Sequence, residues 1–149
     1  MLNPPMQYSS DGLHLTEEFE QCRLESYQDQ RGIWTIGWGH TAGVGPGMKI
    51  TQAMADALLQ HDIANAVMVV NYVLSVPVTQ SEFDAMVDLC FNIGNSAFAH
   101  STMVKLINAR EIESAAKEFE RWDFVAGKKC AGLLRRRLIE EKEFDATTA

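Results

Sequence analysis

Three residues early in the chain have types and spacing that suit acid–base chemistry: Glu20, Asp29 nine residues later, and Thr35 six residues after that. Two carboxyl groups flanking a cleft are what cleavage of a glycosidic bond requires. One must carry a proton for the leaving oxygen. The other must stay charged, to steer a water or to face the positive charge that develops on the sugar. A threonine hydroxyl can hold a water but supplies no charge. Spacing alone is weak support, because Glu17, Glu18, Glu20 and Glu25 crowd one stretch and a solvated acidic helix face accounts for them as well.

The flanking pattern indicates how these residues are positioned. Ser9, Ser10 or Asp11 can cap a first helix by satisfying a free backbone N–H of its first turn. That helix carries Leu13, Leu15, Phe19 and Cys22 and is predicted to end near Glu25. Residues 26–41, SYQDQRGIWTIGWGHT, are rich in aromatic and β-branched residues punctuated by Gly32, Gly37 and Gly39, the pattern of a small antiparallel hairpin sheet. Asp29 falls at its turn and Thr35 on its returning strand. From Thr51 the pattern is helical, with Met54, Leu58, Ile63, Val67 and Met68 at helical spacing up to about Val73. Thr79 and Glu82 form a capping-box pair before a helix carrying Phe83, Met86, Leu89, Cys90 and Ile93, with Gly94 as its stop. Shorter helices are predicted near 96–109 and 111–122, and Gly132 opens a last one to about Phe144. The expected fold class is α+β, mostly α, as one domain over residues 1–149, with a groove where sheet and helical bundle meet.

Composition narrows the function classes. The chain has 149 residues, 46% hydrophobic and 22% charged, as in an ordinary globular protein with a real core. A net charge of −7 argues against nucleic acid as the main partner. The charge is uneven: residues 121–142 hold seven of the thirteen Lys and Arg against three acids, about +4 locally, which leaves −11 elsewhere. Within that segment Arg135, Arg136 and Arg137 have two readings. One is an ion pair toward Glu20; the other is a surface cluster drawn to an anionic polymer or lipid surface. Cys22, Cys90 and Cys130 have neither zinc-ligand nor disulfide spacing. Cys22 and Cys90 read as small core fillers and Cys130 as a semi-exposed thiol. The first twenty residues show no basic stretch followed by an apolar run, and the most apolar window, Ala66 to Val70, is too short to span a bilayer. The chain is therefore expected to accumulate in the cytoplasm of the cell that makes it.

The stretch FEQCRLESYQDQRGIWTIGWGHT resembles the active-site signature of the phage lysozymes, glycoside hydrolase family 24: Glu, eight residues, Asp, five residues, Thr, within a TIGxGH run. The matching residues are Glu20, Asp29 and Thr35, then Ile36, Gly37, Gly39 and His40. KITQAMADALLQHD, FDAMVDLCFNIGNSAFAHST, FERWDF and GLLRRRLIEE resemble later parts of the same family, so the resemblance covers nearly the whole chain.

It implies a lysozyme-like fold and a muramidase that cuts the β-1,4 bond between N-acetylmuramic acid and N-acetylglucosamine. Glu20 is then the general acid, Asp29 the second carboxylate and Thr35 a residue that places water. Phe91, Asn92 and Ser101 match positions lining the glycan cleft. His40 is implied to be structural, paired with Asp62. Trp34, Trp38 and Trp122 have side chains able to stack on sugars, with Trp122 more readily a core residue. Gln21 stands where the family usually has glycine, and reads as helical. No metal or organic cofactor is implied. The expected partner is bacterial peptidoglycan, met by a monomer that waits in the host cytoplasm, crosses the inner membrane through a phage-encoded holin and acts in the periplasm and cell wall. Two alternatives are a lytic transglycosylase and a non-catalytic module that binds wall or membrane through its basic C-terminal helix.

Overall fold

A computed structural model describes residues 1–125 and 127–146. The expectation of a domain over 1–149 therefore includes residues 126 and 147–149, which lie outside the described residues. Helix α1 spans Ser10–Glu20, and the Ser9 hydroxyl accepts from the Gly12 N–H at 3.2 Å. Strands β1 (Arg23–Gln28) and β2 (Trp34–Gly37) pair antiparallel, with Tyr27 opposite Thr35 and Gln28 opposite Trp34. Helices α2 (Gln52–Val73), α3 (Gln80–Ile93), α4 (Asn95–Ala99), α5 (Thr102–Asn108) and α6 (Ile112–Lys117) follow, and a short 3-10 turn at Glu118–Arg121 continues α6. A second hairpin, β3 (Phe124–Val125) with β4 (Lys128–Lys129), precedes α7 (Ala131–Phe144). The fold is α+β and mostly α, with its small sheet beside the helices.

Helix α3 is the axis of the core. Every residue from Phe83 to Cys90 is buried, and α3 packs against α1, α2, α4 and α7. Its start is fixed by the capping box: Glu82 accepts from the Thr79 N–H at 2.8 Å, while the Thr79 hydroxyl accepts from the Glu82 N–H at 3.1 Å. Phe83, Met86, Leu89, Phe98, Met103, Ile107 and Phe119 are fully buried around it. Burying each such side chain contributes roughly 1.5–3 kcal/mol. Helix α2 turns Ala55, Leu59, Ile63, Ala66 and Val70 inward. Met54 and Met68, expected on its apolar stripe, face solvent at 51% and 64% exposure.

Three local expectations are corrected. Helix α1 stops at Glu20 rather than near Glu25, because residues 23–28 are recruited into the sheet. Arg23 pairs with Gly37, and the Leu24 carbonyl accepts from the Ile50 N–H at 2.9 Å. Long-range pairing thus overrides a locally acceptable helix. Gln21 consequently is not helical: it caps α1 at φ 49°, ψ 147°. That lies near a backbone region that is essentially glycine's, which gives a conformational reason for the glycine usual here in the family the sequence resembles. Cys22, beyond the helix, is half-buried beside Gln52 rather than a core filler; Cys90 is buried as expected, and burial pushes its thiol up to about 12.

Candidate active site

The end of α1, the β1–β2 hairpin, the end of α3 and the start of α7 enclose a groove in two stretches. One, about 450 Å³, is lined by Tyr27, Thr35, His40, Asn65, Phe91 and Asn95 among others. The other, about 600 Å³, is lined by Gln30, Arg121, Trp122, Phe124, Cys130 and Leu133 among others. Both stretches include Glu20, Asp29, Arg31, Asn92 and Ile93, so the two carboxyls stand where the stretches meet.

Glu20 is the last residue of α1, and its side chain is 15% exposed. Its Oε1 accepts from Nη1 of Arg136 at 2.7 Å. On the other side, Gly39 sits at φ +86°, and a Cβ there would fall on Oε2 of Glu20. The carboxyl is thus held between a guanidinium and a bare backbone. With Oε1 engaged as an acceptor, a proton carried by Glu20 belongs on Oε2.

Asp29 is held by its own turn. Its Oδ1 accepts from the backbone N–H of Arg31 at 2.8 Å and of Ile33 at 2.9 Å, and its backbone N–H donates to the Ile33 carbonyl. Oδ2 lies outside these turn bonds, 4.0 Å from Nη2 of Arg31. Thr35 is buried to 4% exposure, and its hydroxyl donates to the Ile33 carbonyl at 2.9 Å. Its oxygen keeps acceptor capacity beyond that bond.

The remaining expected residues divide. Phe91 and Asn92 both line the groove. Phe91 also packs against the core, and the Asn92 side-chain carbonyl accepts from Arg137. Ser101 is 5% exposed, and its hydroxyl caps α5 by accepting from the Val104 N–H at 3.3 Å; it is not among the groove's lining residues. His40 meets Asp62 through Nδ1 at 2.7 Å and the Ala42 carbonyl through Nε2 at 2.9 Å, so both ring nitrogens are occupied. Trp38 donates to Asp56 at 2.9 Å instead of facing the groove, while Trp122 both packs on the core and lines the groove.

The arginine run resolves residue by residue. Arg136 makes the ion pair to Glu20. Arg137 is fully buried against Asn92 and Glu140, which neither reading of the run foresaw, and Arg135 alone is exposed. Asp88 escaped the sequence reading, and Gly39 was read there only as a turn glycine and a signature match. Asp88 holds Arg136 from behind, and Gly39 makes room for Glu20. The signal for Asp88 was an acid inside the apolar run AMVDLC.

Comparison with known proteins places the chain in a family. Residues 17–140 match the family model described as phage lysozyme. An endolysin of Acyrthosiphon pisum secondary endosymbiont phage 1 is 40% identical over 145 residues, 95% of this chain and 99% of that protein. An endolysin from Escherichia coli O157:H7 phage FAHEc1 superposes with a TM-score of 0.83 at 40% identity, covering 94% of each chain. The muramidase domain of SpmX from Asticaccaulis excentricus superposes at 0.85 with 36% identity, over 95% of this chain and 99% of that one. The chain belongs to the phage lysozyme family and is a glycoside hydrolase of the lysozyme, or muramidase, class.

Proposed function

We propose that the chain is an endolysin hydrolysing the β-1,4 bond between N-acetylmuramic acid and N-acetylglucosamine in bacterial peptidoglycan. The observation that carries this reading is the meeting of Glu20 and Asp29 at the junction of the groove's two stretches, each carboxyl held differently. A glycan strand lying along the groove would pass its scissile bond between them. Glu20, proton on Oε2, donates to the leaving oxygen as general acid. Asp29, acceptor-only and with Oδ2 free of the turn, faces the developing oxocarbenium ion or the incoming water. Thr35 helps orient that water through its oxygen. Phe91 and Asn92 contact the sugars; the amide nitrogen of Asn92 remains to donate, since its oxygen takes Arg137.

A second carboxylate and a water-holding hydroxyl favour hydrolysis over lytic transglycosylation, which needs neither. Mass spectrometry of fragments released from purified peptidoglycan tests the reading. Fragments ending in a reducing N-acetylmuramic acid are expected. Anhydro ends, lighter by one water, would overturn hydrolysis, and reducing ends on N-acetylglucosamine would overturn the bond assignment.

A further inference from the structure

We propose that Asp88, buried in the middle of α3, is a positioning residue of the reaction: it fixes the Arg136 guanidinium so that one corner is left to hold Glu20. The inference rests on the reading of Glu20 as the acid. Arg136 offers three nitrogens in one plane. Nε donates to Oδ2 of Asp88 at 3.2 Å and Nη2 to Oδ1 at 3.1 Å, a two-point fork. Such a fork fixes the plane as well as the position of the guanidinium. Nη1, the remaining nitrogen, then points at Oε1 of Glu20 at 2.7 Å. The ring of Phe19, next to Glu20 in α1, lies under the same guanidinium at 4.8 Å.

Asp88 is itself anchored. The Thr16 hydroxyl donates to Oδ1 at 2.8 Å, and the Tyr8 hydroxyl lies 2.7 Å from that of Thr16. A line of contacts therefore runs from the chain's lead-in through α1 and α3 to α7 and back to Glu20. The side chain of Asp88 is 0% exposed and that of Arg136 7%. Stability alone is a poor reason for such a pair, since well-packed apolar residues in its place are often neutral or better. Directing a charged group onto a reacting carboxyl is a use that apolar residues cannot supply.

The other charged groups of the cluster are consistent with this. Glu140 lies 3.7 Å from Nε of Arg136 and 3.2 Å from Nε of Arg137. Burial and the adjacent Asp88 push Glu140 well above the usual carboxyl range, against the opposing pull of the two arginines. Burial acts on Asp88 in the same sense, but the charge and hydrogen bonds of Arg136, with help from Glu140 and Thr16, leave it below that range. Asp88 is therefore the carboxylate that answers Arg136 inside the protein, and Glu20 the one that answers it at the groove.

The test compares wild type, Asp88→Asn, Glu20→Gln and Ile107→Val, a core change away from the site, on purified peptidoglycan, well below every unfolding midpoint. Asp88→Asn keeps the shape and loses half of the fork. We expect kcat to fall at least about tenfold, since a small misplacement of a reacting group can cost up to about 10²-fold, with KM within about twofold. The pH–rate profile should change with it, because the Asp88 charge that orients and balances the Arg136 guanidinium is gone. Ile107→Val should change stability and leave kcat and the profile alone. A folded Asp88→Asn enzyme with wild-type kcat and profile overturns the proposal. Should that variant not fold, hydrogen exchange at the Arg136 Nε–H of the wild type decides: protection is expected, and exchange as fast as at exposed Arg135 overturns it. If Glu20→Gln keeps the wild-type rate, the reading of the acid fails; if only Asp88→Asn does, this inference fails alone.

Discussion

The two carboxyls at the centre of the groove are held in opposite ways. Asp29 is fixed by residues within four positions of itself, through backbone N–H groups of the β1–β2 turn. Glu20 is fixed by Arg136, 116 residues away, and that arginine by Asp88, 48 residues from it and fully buried. The hairpin side is light, local and partly open to water; the helix side is deep, charged and assembled only when three helices meet. The contrast suits the two tasks proposed for them. A charged group facing a cation or a water needs a free, hydrated oxygen. With Oε1 taken by Arg136, a proton on Glu20 is left to Oε2. One consequence is that damage on the hairpin side should remove chemistry and spare the fold, whereas damage on the helix side should touch both.

Asp29→Asn is the sharpest probe of the local side. Asparagine can still accept both turn N–H groups through its oxygen but loses the charge. Wall-hydrolysis kcat should fall about 10²–10⁴-fold, while the urea midpoint stays nearly unchanged; a large loss of stability would break the contrast. Gly39→Ala probes the space around the acid. A Cβ pushed onto Glu20 at φ +86° should lower kcat about 10²-fold and cost roughly 1–2 kcal/mol of stability; kinetics and urea titration together read both. Gln21→Gly, adjacent to the acid, relieves a backbone at φ 49° and should raise stability by about 1–3 kcal/mol with little change in kcat.

The smallest effect is expected on the outer side of α7, away from the groove. Burial and the neighbouring Glu120 push Glu141 up to about 7 from 4.5. The folded state thus binds its proton more tightly than the unfolded state, and stability falls as pH rises from 4.5 to about 7, then levels off. Glu141→Gln should flatten that decline in melting midpoint and leave kcat untouched. A loss of kcat there would mean that the helix side reaches further than Arg136.

What was legible in the sequence follows the same division. The hairpin, the cap at Thr51, the capping box at Thr79 and the stop at Gly94 are local patterns, and each appears where its residues stand. The groove residues Glu20, Asp29 and Thr35 lie within sixteen positions, inside one signature. Asp88 and the particular arginine were not legible, because their meaning depends on contacts across 48 to 116 residues. The end of α1 was misread for a related reason: Arg23 and Leu24 accept helix or strand locally, and their partners Gly37 and Ile50 decide. Ser101 illustrates the converse. Its position in a matching segment suggested sugar contact, yet a serine just before a helix also has a local use as a cap, and its hydroxyl takes that use here.

The central claim is that Glu20 supplies the proton. The rate of solubilisation of purified peptidoglycan by Glu20→Gln, measured beside its melting midpoint, tests this most directly. Glutamine keeps the shape and an oxygen for Arg136 but has no acidic proton. The account predicts a kcat lower by about 10²–10⁴-fold in a folded protein. A folded Glu20→Gln protein within a few-fold of the wild-type rate would contradict it.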